Sequence, residues 1–338
     1  MTKFTTAFML LALLAGQAGA AVQHDLYLCA AFNNGSRVMG SKDGSSNGLF
    51  VRSGVDEFKH IGVNYPLTAS ATFDPRDANV IYVACLSGVL RTLDGGKSWR
   101  LVTGWAETEP KAIAVDFNEP DTVYTGLPDG IVVSRDRGQT WQRREKGLPE
   151  RGKYTQVVRS DRSRKGRVFI GCESGLYVTE NGADSWQRVL VTTETVDDIQ
   201  QSPHDPKLWI AVTQSAGALL SRDGGATWKK IDGVPSDKAL YNVAFDARDA
   251  KRFAIGSWSH GLLLSEDGGA TWTVRNAGLP EPTRVWRTAI DPDSGEIYAA
   301  IFGQGLYVSG DSGRTWRTVA GMQGASIQTF TFVPKPSR

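Results

Sequence analysis

The chain has 338 residues, of which 41% are hydrophobic and 22% charged, and its formal net charge at pH 7 is +2. This composition excludes a disordered or collagen-like chain, and it supplies enough apolar side chains for a packed core. The length alone would fit two domains. A repeat that runs through most of the chain overrides that estimate.

Residues 1–20 have the features of a secretory signal peptide. Lys3 supplies a positive charge, residues 8–15 form an apolar run, and residues 18–20 (Ala-Gly-Ala) form a small-residue cleavage site. The apolar run is too short to span a bilayer. We therefore expect cleavage near Ala21, a periplasmic or extracellular mature protein, and no membrane span.

A motif of the form Ser/Thr-x-Asp/Asn-x-Gly/Ala-x-Ser/Thr-Trp recurs six times, at residues 92–99, 134–141, 179–186, 221–228, 265–272 and 309–316. Its tryptophans are 42, 45, 42, 44 and 44 residues apart, and a degenerate seventh copy covers residues 48–58. Seven units at this period indicate a propeller or a solenoid.

The unit after Trp99 shows what one repeat contains. Four short β-rich runs, separated by glycine and aspartate clusters, lie at residues 111–116, 122–126, 130–134 and 140–144. Four strands per repeat are typical of a propeller blade. The sequence therefore predicts an all-β fold with four-stranded antiparallel blades.

The two ends of the chain favour a closed ring. The mature chain enters at a second strand, residues 25–32, and ends with an unpaired first strand, residues 326–334. The last strand can complete blade one and cover the exposed sheet edges. We therefore predict a single seven-bladed propeller over residues 21–338, closed by the C-terminal strand.

The third position of each motif is predicted to be structural. At a hairpin tip its side chain and the Ser/Thr hydroxyl can satisfy backbone N–H groups, and the glycines tolerate positive φ. The spacing lacks the glutamate that a calcium loop needs, and the four histidines show no metal-ligand spacing. We expect no metal and no cofactor, and a structural role for Asp94, Asp136, Asn181, Asp223, Asp267 and Asp311.

The three cysteines are expected to be buried free thiols. Cys85 and Cys172 each lie three residues before a strand-opening glycine, and other units have Leu127, Trp258 and Phe302 at this position. A position that accepts all of these side chains is predicted to be a packing position. A Cys29–Cys85 disulfide between neighbouring blades is the alternative that an exported protein allows.

The six motifs resemble the Asp-box, or bacterial neuraminidase, repeat. Propellers with this repeat include sialidases, xyloglucan-degrading glycoside hydrolases, sortilin-like receptors and photosystem II assembly factors. The resemblance covers nearly all of the mature chain, and residues 290–298 and 305–309 look most like the xyloglucanase group. It implies the fold, but one fold serves unrelated functions.

One face of the propeller is predicted to carry the binding site. Loops that join successive blades share this face with the loops between second and third strands, whereas the Asp-box turns lie on the opposite face. Aromatic, acidic and arginine side chains together suit a sugar or peptide groove. Asp197 and Arg284 lie on this face, and the candidate ligand-binding residues are Tyr65, Trp105, Tyr154, Tyr241, Trp258, His260, Trp286, Arg287 and Gln304.

Two charged groups are further candidates. Loop carboxylates from different blades could form the acid–base pair that glycoside cleavage requires, and the candidates are Asp129, Glu173, Glu194 and Asp198. Residues 135–167 carry 12 Lys or Arg and 4 Asp or Glu, a local charge of +8. This basic sector can attract an acidic protein, an anionic polysaccharide or a lipid surface. Its candidate patch is Arg143, Arg144, Lys146, Arg151 and Lys153.

Two functions remain open from the sequence. The first is an exported, monomeric binding protein or assembly factor that recognises a protein partner or a glycan through its loop face or basic sector. The second is a glycoside hydrolase or polysaccharide lyase that uses loop carboxylates, so enzymatic activity is undecided. Export and the lack of a nucleic-acid-binding module argue against a DNA or RNA ligand.

Overall fold

The computed structural model describes residues 23–32, 47–65, 67–192 and 194–335. Within these ranges every regular element is a β-strand, and 28 strands form seven antiparallel sheets of four strands each. The sheets are the blades of a seven-bladed propeller, which confirms the predicted fold class. The predicted signal peptide lies outside the described residues. The described part contains no helix that could cross a membrane.

The strands follow the blades in chain order, except that the last strand belongs to blade one. Blade one contains β28 (Ala325–Pro334), β1 (His24–Phe32), β2 (Asn47–Arg52) and β3 (Phe58–Ile61). Blade two contains β4 (Ser70–Asp74), β5 (Asp77–Cys85), β6 (Gly88–Thr92) and β7 (Arg100–Leu101). Blade three contains β8 (Ala112–Val115), β9 (Val123–Leu127), β10 (Gly130–Ser134) and β11 (Gln142–Arg143). Blades four and five contain β12 (Thr155–Ser160), β13 (Val168–Cys172), β14 (Gly175–Thr179), β15 (Gln187–Val191); and β16 (Val196–Gln201), β17 (Trp209–Thr213), β18 (Ala218–Ser221), β19 (Lys229–Lys230). Blades six and seven contain β20 (Leu240–Phe245), β21 (Phe253–Ser257), β22 (Gly261–Ser265), β23 (Thr273–Val274); and β24 (Val285–Ile290), β25 (Ile297–Ile301), β26 (Gly305–Ser309), β27 (Arg317–Gln323).

The second and third strands of most blades form the core. Every residue of β9, β13, β17, β21 and β25 is buried. These strands are covered on both faces by neighbouring blades, so their sequences are continuous apolar runs and do not alternate. Tyr124 and Ile131 of blade three, for example, pack in one cluster with Val158 and Ile170 of blade four.

The first strand of each blade lies innermost, around the propeller axis. Each inner strand contacts the inner strand of the next blade, and β28 contacts both β24 and β4. Side chains reinforce these contacts: Asp198 Oδ2 accepts the N–H of Val243 at 3.3 Å, and Asn242 Oδ1 accepts the N–H of Thr288 at 2.9 Å. The inner ring therefore holds the blades, and the loops that they carry, in fixed positions.

The C-terminal strand closes the ring as the sequence predicts. β28 pairs with β1 along the whole length of β1, from His24 opposite Pro334 to Phe32 opposite Ala325. Ile327 is buried in one cluster with Leu28 of β1 and Ala300 of blade seven. The start of β1 is also tied to blade seven, because Asp293 Oδ1 lies 2.8 Å from His24 Nδ1 and Asp293 Oδ2 accepts the N–H of His24 at 2.9 Å.

The Asp-box of blade five shows the hydrogen bonds that the motif forms. Ser221 Oγ donates to Asp223 Oδ1 at 2.7 Å and accepts the N–H of Gly225 at 2.7 Å. The Asp223 carboxylate also accepts the N–H of Thr227 at 2.9 Å and its hydroxyl at 2.5 Å. Gly225 has φ 85°, and a Cβ there would lie 2.6 Å from Phe169. The carboxylate is thus engaged within its own turn.

The Asp-box at Asn181 has the same geometry, but the direction of one hydrogen bond is reversed. Asn181 Oδ1 accepts the hydroxyl of Thr179 at 2.9 Å and the N–H of Ser185 at 3.0 Å. Its Nδ2 donates to Ser185 Oγ at 3.1 Å, whereas an aspartate in this position accepts the hydroxyl hydrogen. The turn therefore tolerates an amide, because the Ser185 hydroxyl can act as donor or acceptor.

The Asp-box carboxylates should make the fold sensitive to acid. Burial would raise the pKa of Asp136, but hydrogen bonds from Thr140 and Ser134 outweigh it and lower the pKa to about 2. Hydrogen bonds from Thr271 lower the pKa of Asp267 to about 2. The folded state then binds fewer protons than the unfolded state, so this stability is complete above about pH 4 and is lost as the pH falls toward 2.

We expect Asp136→Asn to lower the free energy of unfolding at pH 7 by about 1 kcal/mol, the usual contribution of a net hydrogen bond. The same variant should lose less stability than the parent between pH 4 and pH 2, because it has one fewer carboxylate to protonate. Urea unfolding followed by circular dichroism at several pH values measures both effects. An unchanged acid dependence would contradict the role assigned to the carboxylate.

The three cysteines are free and buried. Burial raises the pKa of Cys29 to about 12 and that of Cys85 to about 11, so neither thiol is readily ionised. The Cys29–Cys85 disulfide is not formed in this structure. Cys85, Leu127 and Cys172 are fully buried, as expected for a packing position.

The packing prediction is wrong at the equivalent positions in blades six and seven. Trp258 is only half-buried, and 42% of Phe302 is exposed. Both residues follow a second strand, β21 or β25, where the chain turns on the loop face. The turn is one residue longer there, so Ser257 and Ile301 pair with the glycine that opens the third strand, and Trp258 and Phe302 lie in the turn itself.

Candidate functional site

Five inner strands carry a β-bulge near the end that adjoins the loop face. The pairing register shifts between Thr155 and Val157, between Val196 and Asp198, and at the equivalent points of β20, β24 and β28. A bulge leaves one residue unpaired and redirects its side chain, and bulges are common beside functional sites. The bulged residues are Gln156, Asp197, Tyr241, Trp286 and Gln328.

Two of the bulged residues join an aromatic cluster on the loop face of blades six and seven. We define the aromatic cluster as Tyr241, Trp258, Trp286 and Phe302. The ring centroids of Tyr241 and Trp286 are 4.4 Å apart, those of Trp258 and Phe302 5.2 Å, and those of Trp286 and Phe302 5.7 Å. The tilted and edge-on contacts are the favourable arrangements for aromatic pairs. The cluster is a preformed apolar surface with Phe302 as its most exposed member.

Two arginines lie against the indole rings of the cluster. The guanidinium carbon of Arg284 lies 5.0 Å from the Trp258 ring centroid, and that of Arg287 lies 4.6 Å from Trp286. Arg287 is held in place because its Nε donates to the carbonyl of Gln328 at 2.8 Å. Trp286 Nε1 donates to Gln328 Oε1 at 3.3 Å. The inner strands of blades seven and one therefore fix one side of the cluster.

Asp197 lies beside the cluster in an unusual environment. Burial raises its pKa to about 7, although a hydrogen bond from Gln214 and the charge of Arg287 act in the opposite direction. Gln214 Nε2 donates to Oδ1 at 2.9 Å, and Oδ2 is buried with no hydrogen-bond partner among the residues that the structure describes. A carboxyl group of this kind can give up or take a proton near neutral pH.

The next residue, Asp198, has a different environment. It lies within strand β16, not in a loop as predicted, and it is 4% exposed. Its Oδ1 forms an ion pair with Arg159 at 3.1 Å. Two adjacent acids thus face distinct surroundings: Asp198 is paired with an arginine, and the partly buried Asp197 has no ion-pair partner in the described ranges.

The other three candidate carboxylates are engaged separately or exposed. Asp129 forms an ion pair with Arg143 at 2.9 Å. Glu194 accepts a hydrogen bond from the hydroxyl of Ser215. Glu173 is exposed. Each of the four thus has its own surroundings in the described ranges, and their service as an acid–base pair stays a prediction.

The remaining ligand-binding candidates are spread over the face. Tyr65 is 9% exposed and packs in the core with Cys29 and Cys85. Trp105 is 96% exposed on the loop after β7. Tyr154 and Gln304 are half-buried, the first just before β12 and the second two residues after Phe302. His260 Nε2 lies 3.0 Å from Asp237 Oδ1.

The basic sector is largely neutralised by acids from neighbouring segments. Arg143 pairs with Glu145 as well as Asp129, and Lys153 also pairs with Glu145, at 2.6 Å. Arg144 pairs with Asp184 at 3.5 Å. Only Lys146 and Arg151 of the five patch residues are exposed without an ion pair in the described part of the chain. The sector is therefore less positive as a surface than the sequence count suggests.

Comparison with known proteins gives two family models that match separate parts of the chain. The model described as "Sortilin, neurotensin receptor 3" matches residues 129–233, and the model described as "Photosynthesis system II assembly factor YCF48" matches residues 220–325. Each covers less than half of the chain.

Curated relatives and solved structures extend the comparison. The chain is 26% identical over 162 residues to the oligoxyloglucan-reducing end-specific xyloglucanase of Emericella nidulans, a match that covers 43% of this chain and 20% of that protein. The GH74 xyloglucanase from Xanthomonas campestris superimposes with a TM-score of 0.66 and 17% identity over 90% of this chain and 56% of that one. The structure of YCF48 bound to D1 peptide superimposes with a TM-score of 0.56 and 18% identity, over 75% of this chain and 83% of that one. The resemblance to the Asp-box propellers is confirmed.

These matches establish the Asp-box propeller fold and no more. The chain covers about a fifth of the curated xyloglucanase and about half of the solved one. Among described residues, no group of three or more His, Cys, Asp or Glu is arranged to hold a metal ion.

Sequence reasoning missed two residues of this Asp-box propeller's site. The three-residue spacing to the next glycine predicts packing for Phe302, and the sequence predicts Gln328 only as part of the closing strand. The spacing of about 44 residues between Tyr241 and Trp286 and between Trp258 and Phe302 was the available signal, because one repeat period places residues on adjacent blades.

Proposed function

We propose that this chain is an exported binding protein or assembly factor that engages a protein partner through the aromatic cluster. The observation that carries the proposal is the composition of the cluster: Trp258, Trp286 and Tyr241 are packed together, Phe302 is 42% exposed, and Arg284 lies beside them. Tryptophan, tyrosine and arginine dominate the binding energy of protein interfaces.

The arrangement of the rings favours a protein over a sugar as the ligand. A sugar stacks on an open aromatic face, but guanidinium groups cover one face of Trp258 and one face of Trp286. The rings also meet each other in tilted or edge-on contacts. What remains accessible is an irregular apolar surface beside the exposed Arg284, which suits an apolar side chain on a partner.

We expect Phe302→Ala to weaken partner binding by about 30-fold, the effect of losing a hot-spot side chain worth about 2 kcal/mol. A photoreactive residue at position 302 would first identify the partner in the native compartment. Titration calorimetry with the purified partner would then give the dissociation constants of both forms.

Phe117→Ala provides a matched control. Phe117 is a phenylalanine of similar exposure, 50%, and it lies on the opposite face in the turn after β8. Its removal should leave the dissociation constant unchanged. The proposal fails if Phe302→Ala binds as tightly as the parent protein, or if both variants lose affinity equally.

A glycoside hydrolase is the second candidate, and Asp197 is the observation that favours it. Its pKa is raised to about 7, and it adjoins Asp198, which is paired with Arg159. Two acids in contrasting environments are the usual arrangement for acid catalysis of glycoside cleavage. The curated relatives that are xyloglucanases make xyloglucan oligosaccharides the first substrate to test.

The hydrolase candidate predicts reducing-end release from xyloglucan, which Asp197→Asn would abolish while the fold stayed intact. Reducing-sugar assays on the parent protein and on Asp197→Asn test this prediction. A parent protein that releases no reducing ends from xyloglucan excludes this substrate and leaves the binding function as the better explanation.

A further inference from the structure

The β-bulges of blades six, seven and one are neighbours around the ring. Their bulged residues are Tyr241 of β20, Trp286 of β24 and Gln328 of β28, and the pairing with the adjacent strand skips each of them. Tyr241 and Trp286 belong to the aromatic cluster, and Gln328 Oε1 accepts the indole N–H of Trp286 at 3.3 Å. The shape of the cluster therefore depends on how these three bulges are held relative to one another.

A bulged residue is left out of the strand ladder, so its carbonyl oxygen needs another hydrogen-bond partner. In these three blades one side chain supplies it. Arg287 Nε donates to the carbonyl of Gln328 at 2.8 Å, and its Nη1 donates to the carbonyl of Trp286 at 2.9 Å and to that of Tyr241 at 3.3 Å. A single guanidinium thus joins the inner strands of three successive blades at their bulges.

Arginine is the side chain that suits this contact. Its planar guanidinium presents five N–H donors in fixed directions, whereas the lysine ammonium is a point charge on a flexible stem. Hydrogen bonds from a charged donor are also stronger than those between neutral groups. Asp198 is paired with Arg159, and Arg287 itself forms no ion pair within the described ranges. Its hydrogen bonds therefore go to the three backbone carbonyls.

The residue that follows the bulge differs from blade to blade. It is Val157 in β12, Asp198 in β16, Asn242 in β20, Arg287 in β24 and Thr329 in β28. Of these, Arg287 alone combines a long side chain with several donors. Blade seven is also the middle one of the three blades, so its side chain reaches a bulge on either side. The contact is therefore particular to the blades that carry the cluster.

We propose that Arg287 is a positioning residue for the aromatic cluster: it holds the bulges of blades six, seven and one in the arrangement that brings Tyr241 and Trp286 together. The sequence placed Arg287 among the ligand-binding candidates, whereas this role acts through the backbone. The value of the arrangement for binding rests on the proposed function. Closing strand β28 then completes the site as well as the ring, because Gln328 supplies one of the three carbonyls.

Fluorine NMR of the protein labelled with fluorotryptophan tests this role without a partner. The chain has 10 tryptophans, and the variants Trp258→Phe and Trp286→Phe assign the two resonances of the cluster. We expect Arg287→Lys to shift both resonances by more than their line width and to leave those of the other tryptophans in place. Lysine keeps the positive charge but lacks the planar fork, so it cannot bind three carbonyls in the same geometry.

The Trp258 resonance carries the test. Arg287 lies against the Trp286 ring, so a change at Trp286 alone reflects the loss of that contact. The Trp258 ring is instead stacked by Arg284, and it touches the rings of Tyr241 and Trp286. Its resonance therefore reports the arrangement of the rings.

Arg188→Lys is the matched control. Arg188 also donates to backbone carbonyls, those of Ser174 and Thr192, but it lies in β15 of blade four. Its replacement should leave both cluster resonances in place. An unshifted Trp258 resonance in Arg287→Lys would overturn the positioning role. So would a spectrum in which every tryptophan resonance leaves its folded position, because Arg287 would then support the whole fold.

The positioning role and the proposed function fail in different experiments. The NMR samples contain only this chain, whereas the titration with the partner reports the function of the cluster. If Phe302→Ala binds the partner as tightly as the parent protein while Arg287→Lys shifts the Trp258 resonance, the proposed function fails and the positioning role stands. If Phe302→Ala loses affinity while Arg287→Lys leaves that resonance in place, the positioning role fails and the proposed function stands.

Discussion

Removal of residues 325–338 should abolish the cooperative unfolding transition of the propeller. The truncation deletes β28, which pairs with β1 along nine residues of β1 and contacts the inner strands of blades two and seven. Buried side chains such as Ile327 and Val333 each contribute about 1.5–3 kcal/mol. The truncation also removes the hydrogen bonds between β28 and β1. The combined loss approaches the 5–15 kcal/mol that typically separates the folded and unfolded states of a domain.

Thermal unfolding followed by circular dichroism measures the effect, with a chain that ends at Lys335 as the control. The control retains β28 and should melt like the full-length protein. A synthetic peptide of residues 325–334 added to the truncated chain should restore the transition, because an exposed edge strand accepts a matching strand. A truncated chain that melts like the control would show that the ring does not need its closing strand.

Replacement of Asp197 by asparagine should raise the free energy of unfolding relative to that of the parent protein, and the gain should grow as the pH rises. The folded pKa is about 7 and the ordinary value is 3.8. The folded state therefore holds a proton that the unfolded state has released, so the parent loses stability as the pH rises from about 4 to about 7. A pKa change of this size corresponds to about 4 kcal/mol. The asparagine side chain of the variant has no proton to lose and escapes this penalty.

The readout is the difference in unfolding free energy between variant and parent at pH 4.5 and at pH 8. The difference should move in favour of the variant by about 3 kcal/mol, because part of the penalty is already present at pH 4.5, whatever constant cost the unpaired amide adds. Asp232→Asn, which makes the same substitution at an exposed position, is the matched control. A parallel shift at both pH values would mean that Asp197 is ionised throughout and that the acid-catalysis candidate loses its basis.

The repeat was visible in the sequence because its interactions are local. The Asp-box bonds join residues two to four positions apart, as between Ser221, Asp223 and Thr227. A motif that stabilises its own turn recurs with every blade and reveals both the blade and its period. The four strands predicted after Trp99 correspond for this reason to β8, β9, β10 and β11.

The site was less predictable because equal spacing along the sequence does not give equal positions in the blades. Cys85 and Phe302 each lie three residues before a glycine, yet Cys85 is paired within its strand and fully buried, whereas Phe302 lies in a longer turn and is 42% exposed. Similarly, Asp197 and Asp198 are adjacent in sequence, but the bulge in β16 separates their environments. Bulges leave no reliable mark in the sequence, since the same residue types also occur in regular strands.

The sequence by itself determined that this protein is a closed ring of seven blades, and it located the turns, most strands and the closing segment. Those features arise from short-range hydrogen bonds and from apolar runs that any blade must bury. The tertiary structure alone decided which side chains form the site. Tyr241 meets Trp286, and Trp258 meets Phe302, only because neighbouring blades place residues from successive repeats side by side. Contacts between distant segments depend on how the blades pack, which no single segment encodes.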